Sequence, residues 1–267
     1  MKKMNIYKAV TACTFASVLL CSMSSCTDGF QEANRPGTGA SLEDLSRDNY
    51  QTSSFLVQME NEAFPEQENA YQMNEDLIGN YLGRYMTYAN NGFAEKNFAR
   101  LNAPNGWVRY PFKDSMTKTV SAFKAIDNVT KGEGPVYAWA LILRAQSFMR
   151  LTDMYGPLPI GADATDGNAY SSQEDVYKSI IADLNKATDV IKPLVASNPN
   201  VTIAEELDKV YQGKMAKWLK YANSLKLRIA IRIRYVEPTL AKQLGEQAVQ
   251  DGVITSNDDN CAIAYTP

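Results

Sequence analysis

An all-α fold of stacked helix pairs is what this sequence predicts, and three observations carry the prediction. Apolar residues recur three and four apart through several long segments, and clusters of Gly, Pro and Asn separate those segments. Strand-like alternation is confined to one stretch, Leu225 to Tyr235, where a helical phase also holds. With 267 residues, 45% hydrophobic and 21% charged, the chain can bury a substantial core.

The elements follow in order. "MKKMNIYK" is a short basic start, and Ala9 to Leu20 is an apolar run too short to span a membrane as a helix. Residues 1–25 therefore read as an export signal. "CSMSSCTDGF" brings small residues up to Cys26, the layout of a bacterial lipoprotein signal in which that thiol receives the lipid. Met23 stands where Leu is commonest, Cys21 competes for the role, and an ordinary cleavage site is the alternative. Cleavage before Cys26 would leave only Cys26 and Cys261, and lipidation only Cys261 as a thiol, so no intramolecular disulfide would form. Residues 26–41, polar and rich in Gly and Pro, form a tether, and the globular domain is expected over 42–267.

Within that domain two helices are expected between Tyr50 and Tyr88, with Leu77, Tyr81, Tyr85 and Tyr88 on one packed face. "ANNGFAEKNFARLNAPNGWVRYPF" reads as a long aromatic loop, because Asn-Asn-Gly, Ala-Pro-Asn-Gly and Tyr-Pro are turn signals. A helix is expected from Asp114 to about Val129, and another from Val136 to Tyr155 that should be buried on two sides. Ser171-Ser172 with Glu174 and Asp175 opens the next as a capping box. Its single stripe is Val176, Ile180, Leu184, Ala187 and Ile191, with Lys178, Asp183 and Asp189 outside it. A long helix is expected from about Ile203 to Tyr235, then "TLAKQLGEQAVQ" to Asp251-Gly252, and a short strand in the tail "VITSNDDNCAIAYTP".

The alternation at Leu225 to Tyr235, with Lys226, Arg228, Arg232 and Arg234 between apolar positions, first suggests a basic strand for a polyanion. At 100° per residue, however, Trp218, Ala222, Leu225, Ile229 and Ile233 share one sector, and Leu227, Ile231 and Tyr235 share the opposite one. A helix clamped on two sides accounts for both, and its basic residues reach water or pair with local acids. Nucleic acid is disfavoured as a partner. The net charge is −3, and loss of Lys2, Lys3 and Lys8 with the signal would make it more acidic.

Successive hairpins with a two-sided inner helix and a one-sided outer helix suggest a tetratricopeptide-like solenoid. Three segments go further: "AWALILRAQSFMRLTDMYGPLPI", "SQEDVYKSIIADLNKATDVI" and "YQGKMAKWLKYANSLKLRIAIRI". In that order, after a "SCTDGF" start, they resemble the SusD/RagB family of outer-membrane nutrient-binding lipoproteins of Bacteroidetes, in its SusD-like branch. The resemblance implies tetratricopeptide-like helix pairs with long loops and little strand. It also implies a lipid-anchored, surface-exposed binding protein of the outer membrane, not an enzyme. Such a protein would deliver a nutrient, a glycan or oligosaccharide, to a SusC-like TonB-dependent transporter in polysaccharide utilisation. Members usually continue well past the equivalent of Pro267, so the chain reads as C-terminally truncated.

Residue chemistry narrows the site. The absence of histidine excludes Ser-His-Asp and Cys-His catalysis and His-rich zinc centres. Sugar rings stack on aromatic faces while amides and charges bond their hydroxyls. By that logic "NAPNGWVRY" is the candidate ligand site: Trp107 the platform, Asn105 and Arg109 hydrogen-bond partners, Tyr110 a second face. The alternative is that Trp107 plugs the loop onto the helices. Trp139 and Trp218 belong to the core. Asp163 to Asn168 and Asn257 to Asn260 lack the ligand spacing of a calcium loop, and turn chemistry explains both, so no metal or cofactor is expected. Two further functional readings stay open: a glycosidase using a pair of carboxylates, and a solenoid that binds only a protein partner.

Overall fold

Every long segment with helical spacing is a helix in the computed structural model, which describes residues 50–66, 69–89, 95–160 and 169–263. Those residues fall in a single unit that runs from Asp48. Cys26, the signal, the tether and Asp163 to Asn168 lie outside them.

Helix α1 is Tyr50–Ala63, and α2 is a single turn, Asn69–Tyr71, that widens into a π-helix over Gln72–Asn80. After a 3₁₀ turn at Phe98–Arg100 comes α3, Asn105–Pro111, which passes through a π-helical turn, Phe112–Met116, into α4, Thr117–Thr130. The remaining helices are α5, Gly134–Tyr155; α6, Gln173–Ser197; α7, Met215–Ile233; and α8, Pro238–Asp251. No strand occurs among the described residues; two isolated bridges, Leu158 with Ser171 and Thr202 with Lys214, close the loops before α6 and α7.

Helix α5 lies at the centre. It opens with Pro135 in its first turn, where a missing N–H costs nothing. It is apolar all round, and Trp139, Leu141, Ile142, Leu143 and Leu151 are all buried. Helices α4 and α6 cover it on two sides, as expected of a two-sided helix. The α6 stripe packs as its spacing dictates, with Val176, Ile180, Leu184, Ala187 and Ile191 each at 0% exposure. Ser172 caps α6 by accepting the Asp175 N–H at 3.1 Å. Asp183, expected outside the stripe, is instead buried. It accepts Arg144 Nε–H from α5 at 2.8 Å, while the same guanidinium lies 3.6 Å from the Phe123 ring centroid. A bidentate partner is what permits a carboxylate there.

The core centres on Trp218 of α7, which packs against Trp139 at 5.7 Å, Tyr211 at 5.1 Å, Tyr221 at 5.6 Å and Phe64 at 6.2 Å between ring centroids. Both core tryptophans are where the sequence puts them. Asp208 anchors this cluster from below: its carboxylate accepts the Val210, Tyr211 and Gly213 amides and Trp218 Nε1–H at 2.7 Å.

Four expectations are corrected. Helix α7 begins at Met215 rather than near Ile203, because Asp208 captures the amides that a helix would use and Gly213 turns with φ +72. A Cβ at Gly213 would stand 2.5 Å from Ile203 O, so only glycine closes that turn. The aromatic loop is helical at Phe98–Arg100 and from Asn105 onward: Pro111 is the last residue of α3, and the chain passes from it into the π-turn Phe112–Met116. The Leu77, Tyr81, Tyr85 and Tyr88 face fails, because a π-helix does not keep 100° spacing and buries Asn74 and Ile78 instead. Tyr85, beyond the helix, is 85% exposed. The tail forms a 3₁₀ turn, Asn257–Asp259, not a strand, since Ser256 caps it and no partner edge lies beside it among the described residues.

Candidate functional site

The last turns of α5 and the π-helical α2 enclose a cavity of about 440 Å³. Tyr155, the final residue of α5, fixes its far wall. Its hydroxyl donates to Val108 O at 2.7 Å and accepts the Phe112 N–H at 3.3 Å, while its ring meets Phe112 edge-on at 5.5 Å. Burial pushes the Tyr155 phenol above its ordinary value, so it stays a neutral hydrogen-bonding group. In this way α3 is held against α5, and Val108 and Phe98 face the same space as Ile78, Leu82, Met149 and Met154.

The polar lining comes from Asn74 and Glu75 of α2, Gln146, Arg150 and Asp153 of α5, and Arg228 of α7. Their spacing is helical: Gln146, Arg150 and Asp153 share one face at three and four residues apart. Arg150 is fastened by the carbonyls of Glu62 and Ala63, the latter at 3.1 Å, and by Glu75 Oε1 at 3.3 Å. Burial works against its charge and Glu75 supports it, with a net downward shift. Asp153 accepts Tyr177 O–H at 2.6 Å and pairs with Arg232 at 2.9 Å. Two polar atoms in this lining are left over: Asn74 Oδ1 and Arg150 Nε are buried without a hydrogen-bond partner. Buried polar atoms are nearly always satisfied, so these two, closed off from solvent, are exceptions that the surrounding fold carries. An apolar cavity with a few convergent polar groups is the usual form of a small-molecule site.

The four residues read from sequence stand beside this cavity rather than in it. Asn105, Trp107, Arg109 and Tyr110 are together on α3, but Val108 is the α3 residue that lines the cavity. Trp107 is partly buried and stacks on Phe98 at 6.4 Å with 23° between the planes, so it backs a ring that does line it. Asn105 and Arg109 are exposed. Tyr110 is half-buried, and burial raises its phenol, with Asp114 adding to the shift. Asn74, Gln146, Arg150, Tyr155 and Arg228 were missed. The signal for Arg150 was present, since an arginine in a helix as apolar as α5 must find partners inside the fold, as Arg144 does with Asp183. Asn257 to Asn260 are engaged as a turn, with Asp259 paired to Lys220 at 2.6 Å.

With this geometry the chain can be set against known proteins. The family model described as "SusD-like: Susd and RagB outer membrane lipoprotein" matches residues 32–267. The chain belongs to the SusD/RagB family. Solved SusD relatives share the fold. A SusD homolog from Bacteroides uniformis is similar at 32% identity and TM-score 0.73, over 82% of this chain and 46% of its own. A SusD-like protein from Bacteroides thetaiotaomicron is similar at 30% identity and TM-score 0.69, over 78% and 43%. A chitin-binding SusD homolog from Flavobacterium johnsoniae is similar at 29% identity and TM-score 0.68, over 79% and 45%. The chain thus spans less than half the length of these SusD structures. A search of curated proteins found no match. Among the described residues no helix is long and apolar enough to cross a membrane.

Proposed function

We propose that this chain binds a glycan at the outer membrane and passes it to a SusC-like TonB-dependent transporter. The observation that carries the reading is the cavity between α2, α3 and α5, with aromatic Phe98 and Tyr155 in its walls and the polar side chains of Gln146 and Arg228 beside them. Aromatic faces suit sugar rings, and amide and guanidinium groups suit hydroxyls. The chitin-binding relative supports the ligand class. Trp107 acts behind Phe98 as its backing, with Asn105, Arg109 and Tyr110 forming the outer lip. Lipid on Cys26 holds the protein to the membrane, and the domain faces outward.

Binding is favoured over cleavage because the carboxylates in the cavity, Glu75 and Asp153, are each engaged by an arginine. Glycosidic cleavage instead requires one carboxyl kept as a proton donor. The test is a glycan array read with the wild-type chain, Phe98→Ala and Trp107→Ala. Binding should weaken strongly in the first variant and partially in the second. Reducing-sugar release by the wild type, or array signals untouched by Phe98→Ala, would overturn the reading. Labelled palmitate should enter the wild type and not Cys26→Ala.

A further inference from the structure

One cation in the cavity wall has no ion-pair partner among the described residues. Glu75 pairs with Arg150 and Asp153 with Arg232. Arg228 lines the same cavity and makes no hydrogen bond or ion pair among the described residues. Both carboxylates of the lining are therefore engaged, and Arg228 is left without an anionic partner. A neutral sugar would leave it so, whereas a carboxylate matches the planar fork of an arginine with two parallel bonds.

We propose that the glycan taken by this cavity is acidic, a uronic- or sialic-acid sugar whose carboxylate is held by Arg228. The assignment rests on the glycan reading above and names the substrate class. Phe98 and Tyr155 supply the apolar walls for the ring. Esterification of the acid removes the charge while keeping the ring, so it isolates the arginine's contribution. Because Arg228 is exposed to solvent, its attraction for the acid should also weaken as salt rises.

The experiment is an array of uronic- and sialic-acid glycans beside their methyl esters, sulfated analogues and neutral oligosaccharides. It is followed by calorimetry on the best acid–ester pair. The full chain is compared with Arg228→Gln and, as a surface-charge control on α8, Lys242→Gln. The acid should bind roughly tenfold tighter than its ester, as expected for a charge-assisted bond. Arg228→Gln should abolish that preference, and Lys242→Gln should keep it. Equal binding of acid and ester, a preference that survives Arg228→Gln, or capture only of neutral or sulfated glycans would overturn the acidic assignment and leave the glycan reading standing. Absence of binding to every glycan on the array would overturn both.

Discussion

Glu60 on α1 is fully buried, and its Oε1 has no partner while its Oε2 accepts the Lys209 N–H at 3.2 Å. Burial, and after it the neighbouring Asp208 carboxylate, pushes its carboxyl from 4.5 up to about 8, against the opposing pull of the Lys209 and Val210 amides. The folded chain therefore keeps a proton here that the unfolded chain loses. Between pH 4.5 and about 8 unfolding releases that proton, so stability falls as pH rises through this window. The limiting slope is about 1.4 kcal/mol per pH unit. Urea denaturation at pH 5, 6.5 and 8 should show the decline, and Glu60→Gln, which mimics the protonated form, should flatten it. A wild-type curve as flat as the variant's would show that Glu60 is ionised in the fold. The buried Cys261 thiol, raised to about 12, adds no change in this range. Asp208 plays the opposite part: amides and Trp218 Nε1–H bond both of its oxygens.

At the scale of elements, α7 shows how far periodicity reaches. The stripe of Trp218, Ala222, Leu225, Ile229 and Ile233 is buried throughout, which decides for helix against strand. The opposite stripe was expected to be clamped as well, yet Ile231 is 54% and Tyr235 84% exposed. Helices α5, α6 and α8 pack on the first stripe and its flanks. Gly245 of α8 comes so close that a Cβ there would lie 3.3 Å from Ala230 Cβ. None of the described elements reaches Tyr235. The basic flank divides just as unevenly. Lys226 is buried and donates to Thr188 Oγ1 at 2.7 Å, Arg232 pairs with Asp153, and Arg228 stays at the cavity. Two isoleucines therefore make a clean comparison. Ile229→Ala should cost about 2–5 kcal/mol by leaving a core void. Ile231→Ala should change stability by no more than about 0.5 kcal/mol. Chemical denaturation of both variants checks this, and equal losses would mean that the second face is covered in solution.

For the whole molecule, the cavity matters because its walls come from elements far apart in the chain: α2, α3, α5 and α7. A ligand bound there ties them together and stabilises only the folded state. At a hundredfold excess over Kd the gain is about 2.7 kcal/mol, which for a folded unit of this size raises Tm by roughly 5–10 °C. Thermal melts with the best glycan from the array should show that shift in the wild type and a smaller one in Phe98→Ala. An unshifted wild-type melt at saturating ligand would mean that the folded chain does not bind it.

Sequence alone determined the helical class, the α5 and α6 packing faces, the Ser172 cap, the core positions of Trp139 and Trp218, and the family. Each of these depends on local spacing or on a run of residues that survives without knowing what lies opposite. Tertiary structure decided the rest. Asp208 stops a helix that periodicity would extend to Ile203, because its carboxylate gathers amides from the following turn. Pro111 lies at the end of a helix that is held against α5 by Tyr155, whose hydroxyl bonds Val108 O and the Phe112 N–H. The cavity gathers Asn74, Arg150 and Arg228 from positions separated by 76 and 78 residues in sequence. No local pattern links such residues, since only the packing of α2 and α7 against α5 gives them a shared space.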